Sequence, residues 1–264
     1  MTKIASSALV LRQRLQRFLY TPHNAGRMQV AAISGQLCEL GQVYLFGGAL
    51  RDIALEGIRY FNSDLDFVVD CQPDALNKLM QQLSATLNVS QNKFGGYRIK
   101  CDKWWLDIWP LCQTWAFTHH HVTFDSVNAL LNTTITNWDA IIFNLNRQSI
   151  ISSASYFTEL NSGVLDLNLA ANPNPQGALL RLLRCLIAKP VKWLTPELQH
   201  HLTAQLNKID FVTLVEYEQQ QYSRSYLSQT SGFLINQQLT QAANSNGLYL
   251  NCLNKLNLEL EYHD

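Results

Sequence analysis

The apolar positions follow two rhythms, and the mixture of the two changes near residue 172. Leu9, Leu11, Leu15, Phe18 and Leu19 mark a helix over residues 6–20 with a ragged apolar face, and a second helix follows over 28–40. VYLF, residues 43–46, is a short apolar run that stops at Gly47-Gly48, which reads as a buried strand ending in a turn. ALRDIALEG reads as a short helix closed by Gly57. SDLDFVVD, residues 63–70, alternates carboxylates with apolar residues at the period of a strand. From Pro73 to Leu87, apolar residues at 76, 79, 80, 83 and 87 recur at three- and four-residue steps behind a proline that suits a first helical turn. A turn at Gly95-Gly96 precedes the strands YRIK and WWLDIW. TNWDAIIFNL and QSIIS, joined around Asn146-Arg147, predict a hairpin. Strands 43–46, 63–69, 97–101 and 104–109 are expected to share one mixed sheet.

Beyond Asn172-Pro173-Asn174-Pro175 the pattern is helical throughout: ALLRLLRCLIA, PELQHHLTAQLNKI, FVTLVEYEQQQY, SYLSQTSGFLINQQLTQAA and LYLNCLNKLNLEL. The Asn-Pro pair marks the expected boundary between a head domain over residues 1–172 and a helical domain over 173–264. The expected fold class is therefore α+β, a mixed β-sheet flanked by helices, followed by a small all-α domain.

Composition narrows the function. The 264 residues carry 20 Lys+Arg against 20 Asp+Glu, with 47% hydrophobic and 15% charged residues. Such a chain is too apolar for disorder, and it has no net positive field with which to hold a long nucleic acid through phosphates alone. No run approaches the ~20 apolar residues of a membrane span. In the first twenty residues Arg12, Arg14 and Arg17 follow the apolar patch, the reverse of a signal peptide. No membrane partner is expected. Cys38, Cys71, Cys101, Cys112, Cys185 and Cys252 are scattered without CxxC or zinc-finger spacing, so they read as free thiols of a cytoplasmic protein.

The chemistry centres on Asp64 and Asp66. Two residues apart on a strand they share a face, roughly 7 Å apart at ~3.3 Å per residue. Two unpaired carboxylates there repel, and a divalent cation such as Mg²⁺ (or Mn²⁺) removes the conflict. Asp107, a lone charge in the apolar strand Trp104–Trp109, fits as a third ligand if its strand neighbours 63–69. The bland alternative is surface carboxylates on an edge strand. Gly47-Gly48 lies after a strand and before a helix, where backbone can approach a phosphate and free N–H groups favour an anion. Arg51, in the first turn of that helix, can reach the same anion, while Asp52 orders the turn or holds Arg51. His119-His120-His121 cannot all point one way, and the tryptophans at 104, 105, 109 and 115 suit core packing.

FGGALRD followed by SDLDFVV resembles the signature of the class II nucleotidyltransferases, the group of bacterial poly(A) polymerases and tRNA CCA-adding enzymes. Its Gly-Gly-x-x-Arg-Asp and Asp-x-Asp are here Gly47, Gly48, Arg51, Asp52, Asp64 and Asp66, with a linker, EGIRYFN, of the family's length. Asp107 stands where the family keeps a third carboxylate. WDAIIFNLNRQSII resembles its Ile-Asn-Ala segment and hairpin, with Asp139 in place of Asn. ALLRLLRCLIA resembles the helix leading into its neck, bringing Arg181 and Arg184. The resemblance spans about residues 25–190 and is most specific over 43–70. It implies a nucleotidyltransferase-type sheet, and Mg²⁺ (or Mn²⁺) on Asp64, Asp66 and Asp107 as catalytic and metal-binding residues. It also implies a nucleotide held by Gly47, Gly48, Arg51, Asp52, Arg181 and Arg184.

Three features depart from the family. Its arginine-rich stretch is replaced by NTTIT, the acidic pair before Arg181 by Gly177 and Ala178, and about 75 residues follow this helix where a long tRNA-gripping body is usual. The expected activity is transfer of an NMP from an NTP, ATP foremost, to an acceptor hydroxyl with release of pyrophosphate. An RNA 3′ end, a small molecule and a protein compete as acceptor. The alternative is a non-catalytic nucleotide-binding module that keeps an inherited pocket.

Overall fold

A computed structural model gives the fold and describes residues 3–21, 23–59, 61–241 and 247–250. The chain divides into two compact units, Met1–Thr134 with Trp138–Asn161, and Ile135–Asn137 with Ser162–Asp264.

The first unit begins with α1 (Ala8–Leu19), α2 (Ala25–Leu40), β1 (Gln42–Phe46), α3 (Gly48–Glu56) and β2 (Leu65–Asp70). It continues with α4 (Pro73–Leu83), β3 (Asn88–Gln91), β4 (Tyr97–Lys100), β5 (Trp105–Pro110) and α5 (Trp115–Thr118). The hairpin β6 (Ile141–Asn144) and β7 (Ser149–Ser152) and the helix α6 (Tyr156–Ser162) complete it. Seven strands form one sheet in the order β3-β4-β5-β2-β1-β6-β7. Within this sheet only β2 and β5 run parallel, because α4 and the β3–β4 hairpin carry the chain across between them.

The expected mixed sheet is present and wider than the local pattern indicates. β3 is too polar to read as a strand, and the hairpin joins through β6 pairing with β1 about a hundred residues away. Residues Asn137–Asp139 form a 3₁₀ turn rather than the start of the strand, which begins at Ile141. The helix from Pro73 ends at Leu83, short of Leu87, where turns take over.

One face of the sheet is closed by helices. Val43, Leu45, Leu65, Phe67, Val69, Leu106, Ile108 and Phe143 are fully buried on it, with α2 and α3 packed against β1 and β2 and α4 against β5. Each such side chain contributes about 1.5–3 kcal/mol relative to exposure. The opposite face is only partly closed. Residues 111–133 fold over Tyr44, Phe46, Val68 and Ile142, joined by Leu111, Phe117 and Leu130. β5 records the asymmetry: Leu106 and Ile108 are buried, and Trp105, Asp107 and Trp109 are half-buried.

The second unit is mainly helical: α7 (Pro175–Ala188), α8 (Pro196–Leu206), α9 (Phe211–Gln221) and α10 (Gln229–Gln241). Three two-residue strands, β8 (Val164–Leu165), β9 (Trp193–Leu194) and β10 (Leu248–Tyr249), form a small sheet in the order β10-β9-β8 that helical periodicity did not announce. Of the helix expected over LYLNCLNKLNLEL, Leu248–Tyr249 is instead the strand β10, and residues 251–260 lie outside the described ones.

Candidate active site

The site is built from one row of side chains. Cross-strand partners point to the same side of a sheet. The registers Ile151↔Ile142, Ile142↔Phe46, Phe46↔Asp66, Asp66↔Asp107, Asp107↔Arg98 and Arg98↔Ser90 run through all seven strands. On the β1–β6–β7 side the row is apolar and lies under the 111–133 segment. On the β2–β5–β4 side it is charged and half-open. β2 lies between β1 and β5, so its carboxylates are not on an edge strand.

Asp64 stands just before β2, and Arg98 joins it to the row. One guanidinium nitrogen of Arg98 donates to Asp64 Oδ2 at 2.6 Å, and the other lies 3.5 Å from Asp107 Oδ2. The Arg98 and Asp64 side chains are 42% and 47% exposed. The guanidinium also lies over the Trp105 ring, 4.9 Å from its centroid, and Lys100 shares that ring at 4.5 Å. Burial raises the Asp107 carboxyl above its ordinary value; Arg98 opposes the rise and Asp64 adds to it. Asp107 thus holds a proton more readily than a surface carboxylate.

The second cluster lies at the end of β1. Gly47 has φ +74° and ψ −137°, a region essentially confined to glycine, and its N–H donates to Ile141 O at 3.1 Å. α3 starts on the next residue, so the amides of Gly48 and Ala49 have no partner within the helix. A Cβ on Gly48 would lie 3.3 Å from Arg51 Nη2, which places the guanidinium beneath the diglycine corner. Arg51 donates from Nε to Asp52 Oδ1 at 2.9 Å and from Nη1 to Asp139 Oδ1 at 2.6 Å. Asp52 is buried and also accepts from the Ser63 hydroxyl. Below them Tyr156 donates to Trp138 O at 2.9 Å, and burial, with Asp139 second, pushes its phenol up and keeps it protonated. The far end of α3 is fixed by Arg14, which donates to Ile53 O and Ala54 O at 2.9 and 2.7 Å. α3 is thereby held at both ends, with Gly48, Arg51 and Asp52 in its first turns.

Asp66 and Asp107 stand in register on β2 and β5, Asp64 just before β2 is linked to Asp107 through Arg98, and Gly47, Gly48, Arg51 and Asp52 lie around the start of α3. Arg181 and Arg184 lie on α7 of the second unit. Arg181 is exposed, whereas Arg184 is engaged inside its own unit. It donates to the fully buried Glu218 and lies 3.8 and 4.6 Å from the ring centroids of Tyr222 and Tyr226. Gly177 gives its N–H to the capping Asn174, and a Cβ there would come within 2.5 Å of that side chain, so an acid has no room at 177 without loss of the cap.

Arg98 and Ser63 escaped the sequence reading, and Asp139 entered it only as a departure from the family pattern. The alternation of buried Tyr97 and Ile99 with outward Arg98 and Lys100 is the local signal for Arg98. Nothing local signals the approach of Asp139 to Arg51, 88 positions away.

Among the described residues, no three His, Cys, Asp or Glu side chains are grouped closely enough to hold a metal ion. The donor chemistry nevertheless suits one. The acids of the row offer hard oxygen ligands, and a guanidinium already stands in for a cation between Asp64 and Asp107.

Residues 43–137 match the Poly A polymerase head domain. The match runs from β1 to the turn before β6 and so contains the diglycine corner and Asp64, Asp66 and Asp107. Solved structures share its fold. A tRNA-processing enzyme in an apo form is 21% identical with a TM-score of 0.51, covering 74% of this chain and 50% of that one. A CCA-adding enzyme in an apo form is 14% identical with a TM-score of 0.52, covering 95% and 54%. The Thermotoga maritima CCA-adding enzyme complexed with tRNA is 17% identical with a TM-score of 0.50, covering 72% and 44%. The chain spans about half the length of these structures. No curated protein matches it. These likenesses show the fold: the first unit shares that of the Poly A polymerase head domain and of these tRNA-processing and CCA-adding enzymes. No helix among the described residues is long and apolar enough to cross a membrane.

Proposed function

We propose that this cytoplasmic protein is a nucleotidyltransferase that moves an NMP from an NTP, ATP foremost, to an acceptor hydroxyl, with an RNA 3′ end as the leading acceptor. The observation that carries the reading is the register of Asp66 with Asp107 on the open face, one strand from the diglycine corner. The acceptor oxygen attacks the α-phosphorus, the bond to the bridging oxygen of the β-phosphate breaks, and pyrophosphate leaves with that electron pair. The hydroxyl proton passes to Asp107, whose burial-raised carboxyl accepts it more readily than a surface acid. The amides of Gly48 and Ala49 donate to the outer phosphates, and Arg51 braces the corner from below. Asp64, Asp66 and Asp107 would hold Mg²⁺ or Mn²⁺, which, when bound, neutralises phosphate charge.

The test is incubation with each α-labelled NTP, Mg²⁺ and either RNA with a free 3′ hydroxyl or a cell extract. Label on RNA, with binding that weakens steeply with salt, supports the RNA acceptor. Label on a metabolite or a protein keeps the reaction and replaces the acceptor. NTP affinity that depends on Mg²⁺ without pyrophosphate release overturns transfer. That result favours a binding module, a reading to which the pairing of Arg51 with two carboxylates lends weight.

A further inference from the structure

We propose that Arg98 is a resident counter-ion of the carboxylate row that a divalent cation must displace, so that this one side chain sets the metal concentration at which the site loads. The inference rests on the divalent-cation reading above and concerns a residue outside the diglycine and Asp-x-Asp motifs. Arg98 occupies the gap between two of the three acids: 2.6 Å from Asp64 and 3.5 Å from Asp107. It reaches them because β4 pairs with β5 in the register Arg98↔Asp107. A divalent ion bound at about 2 Å to these carboxylates would stand beside the guanidinium as a like charge, so the two compete for the acids.

The geometry also favours exchange over permanence. The contact to Asp107 is too long for a good hydrogen bond, and the contact to Asp64 is half-exposed, a setting in which an ion pair contributes little. The Trp105 ring already lies under the guanidinium, so a side chain that leaves the acids can keep its cation–π contact. From there its charge remains beside the row, placed for a phosphate oxygen of the incoming nucleotide or acceptor. Metal therefore has only to loosen the contacts to the acids, and it does so by its affinity for them alone.

The experiment is a Mn²⁺ titration of the full chain at about pH 8, well above the ordinary carboxylate range, followed by the paramagnetic signal of free Mn²⁺. Wild type is compared with Arg98→Gln, Arg98→Lys and Asp66→Asn. Arg98→Gln is expected to bind Mn²⁺ about five-fold more tightly than wild type, the competition a half-exposed ion pair can exert. Arg98→Lys, which keeps a cation at the position, should stay nearer wild type. Equal or weaker binding by Arg98→Gln, with its thermal midpoint preserved, overturns the inference and makes Arg98 an organiser of the acids. Mn²⁺ affinity unchanged in Asp66→Asn overturns the metal site itself, and no binding by any form overturns both. The failure of the counter-ion is therefore distinct from the failure of the site beneath it.

Discussion

Arg51 and Arg98 each face two carboxylates of the head domain, in opposite settings. Arg51 is 17% exposed, and its partner Asp52 is 7% exposed and also held by Ser63. Arg98 is 42% exposed, with one short and one long contact. A buried guanidinium that loses a partner leaves an uncompensated charge in low dielectric, whereas an exposed one is taken up by water. The first cluster is therefore architecture, holding the turn that presents the diglycine corner. The second is exchangeable chemistry on an open surface.

The largest effect separating the two falls on activity. Replacing Asp64 and Asp66 together by Ala should lower NMP transfer by at least about 10³-fold, roughly 4 kcal/mol of barrier, while circular dichroism and the thermal midpoint stay near wild type. A transfer rate within tenfold of wild type would remove the row from the chemistry. Next comes Asp52→Ala, which strips Arg51 and Ser63 of a shared buried partner. It should cost about 3 kcal/mol in denaturant unfolding. Asp139→Asn leaves Arg51 with Asp52 and frees part of its charge for an anion. NTP affinity by calorimetry should rise about three- to ten-fold, at a stability cost of about 1 kcal/mol.

The pH dependence tests the open cluster. Asp107 must be ionised to bind a cation or take a proton, and burial raises its pKa while Arg98 lowers it. In the metal-free protein Arg98→Gln removes the lowering influence, so the Asp107 carboxyl, followed by carboxyl NMR, should titrate at higher pH than in wild type; a shift to lower pH would contradict the assignment. For stability the sign is opposite. The raised folded-state pKa contributes stability that is complete below the ordinary carboxylate pKa and is lost as pH rises through the raised value. The smallest effect belongs to Arg98→Ala, which should change stability by less than about 1 kcal/mol in chemical unfolding. A loss as large as that of Asp52→Ala would erase the distinction between the clusters.

Much of this was legible along the chain wherever the signal is local. The run VYLF, the diglycine and the Asp-x-Asp alternation each occupy a few residues whose periodicity is set by the backbone. The hairpin around Asn146 was visible for the same reason, yet not its place beside β1, because partner choice depends on residues far away. β3 has too few apolar residues to declare itself, and β8, β9 and β10 are two residues long, below the length at which alternation means anything. The weakness of Arg184 as a free nucleotide contact was equally hidden, since Glu218 meets it from 34 residues along the chain.

By itself the sequence determined the order of elements and the residue types at the corner and on β2, because turn geometry and strand period are properties of short stretches. The tertiary structure alone decided that Asp107 stands in register with Asp66, that Arg98 closes the row, and that Asp139 reaches Arg51. Those are long-range pairings, fixed by which sheet face is buried beneath the helices and which is left open. A one-residue slip of β5 would have turned Asp107 into the core.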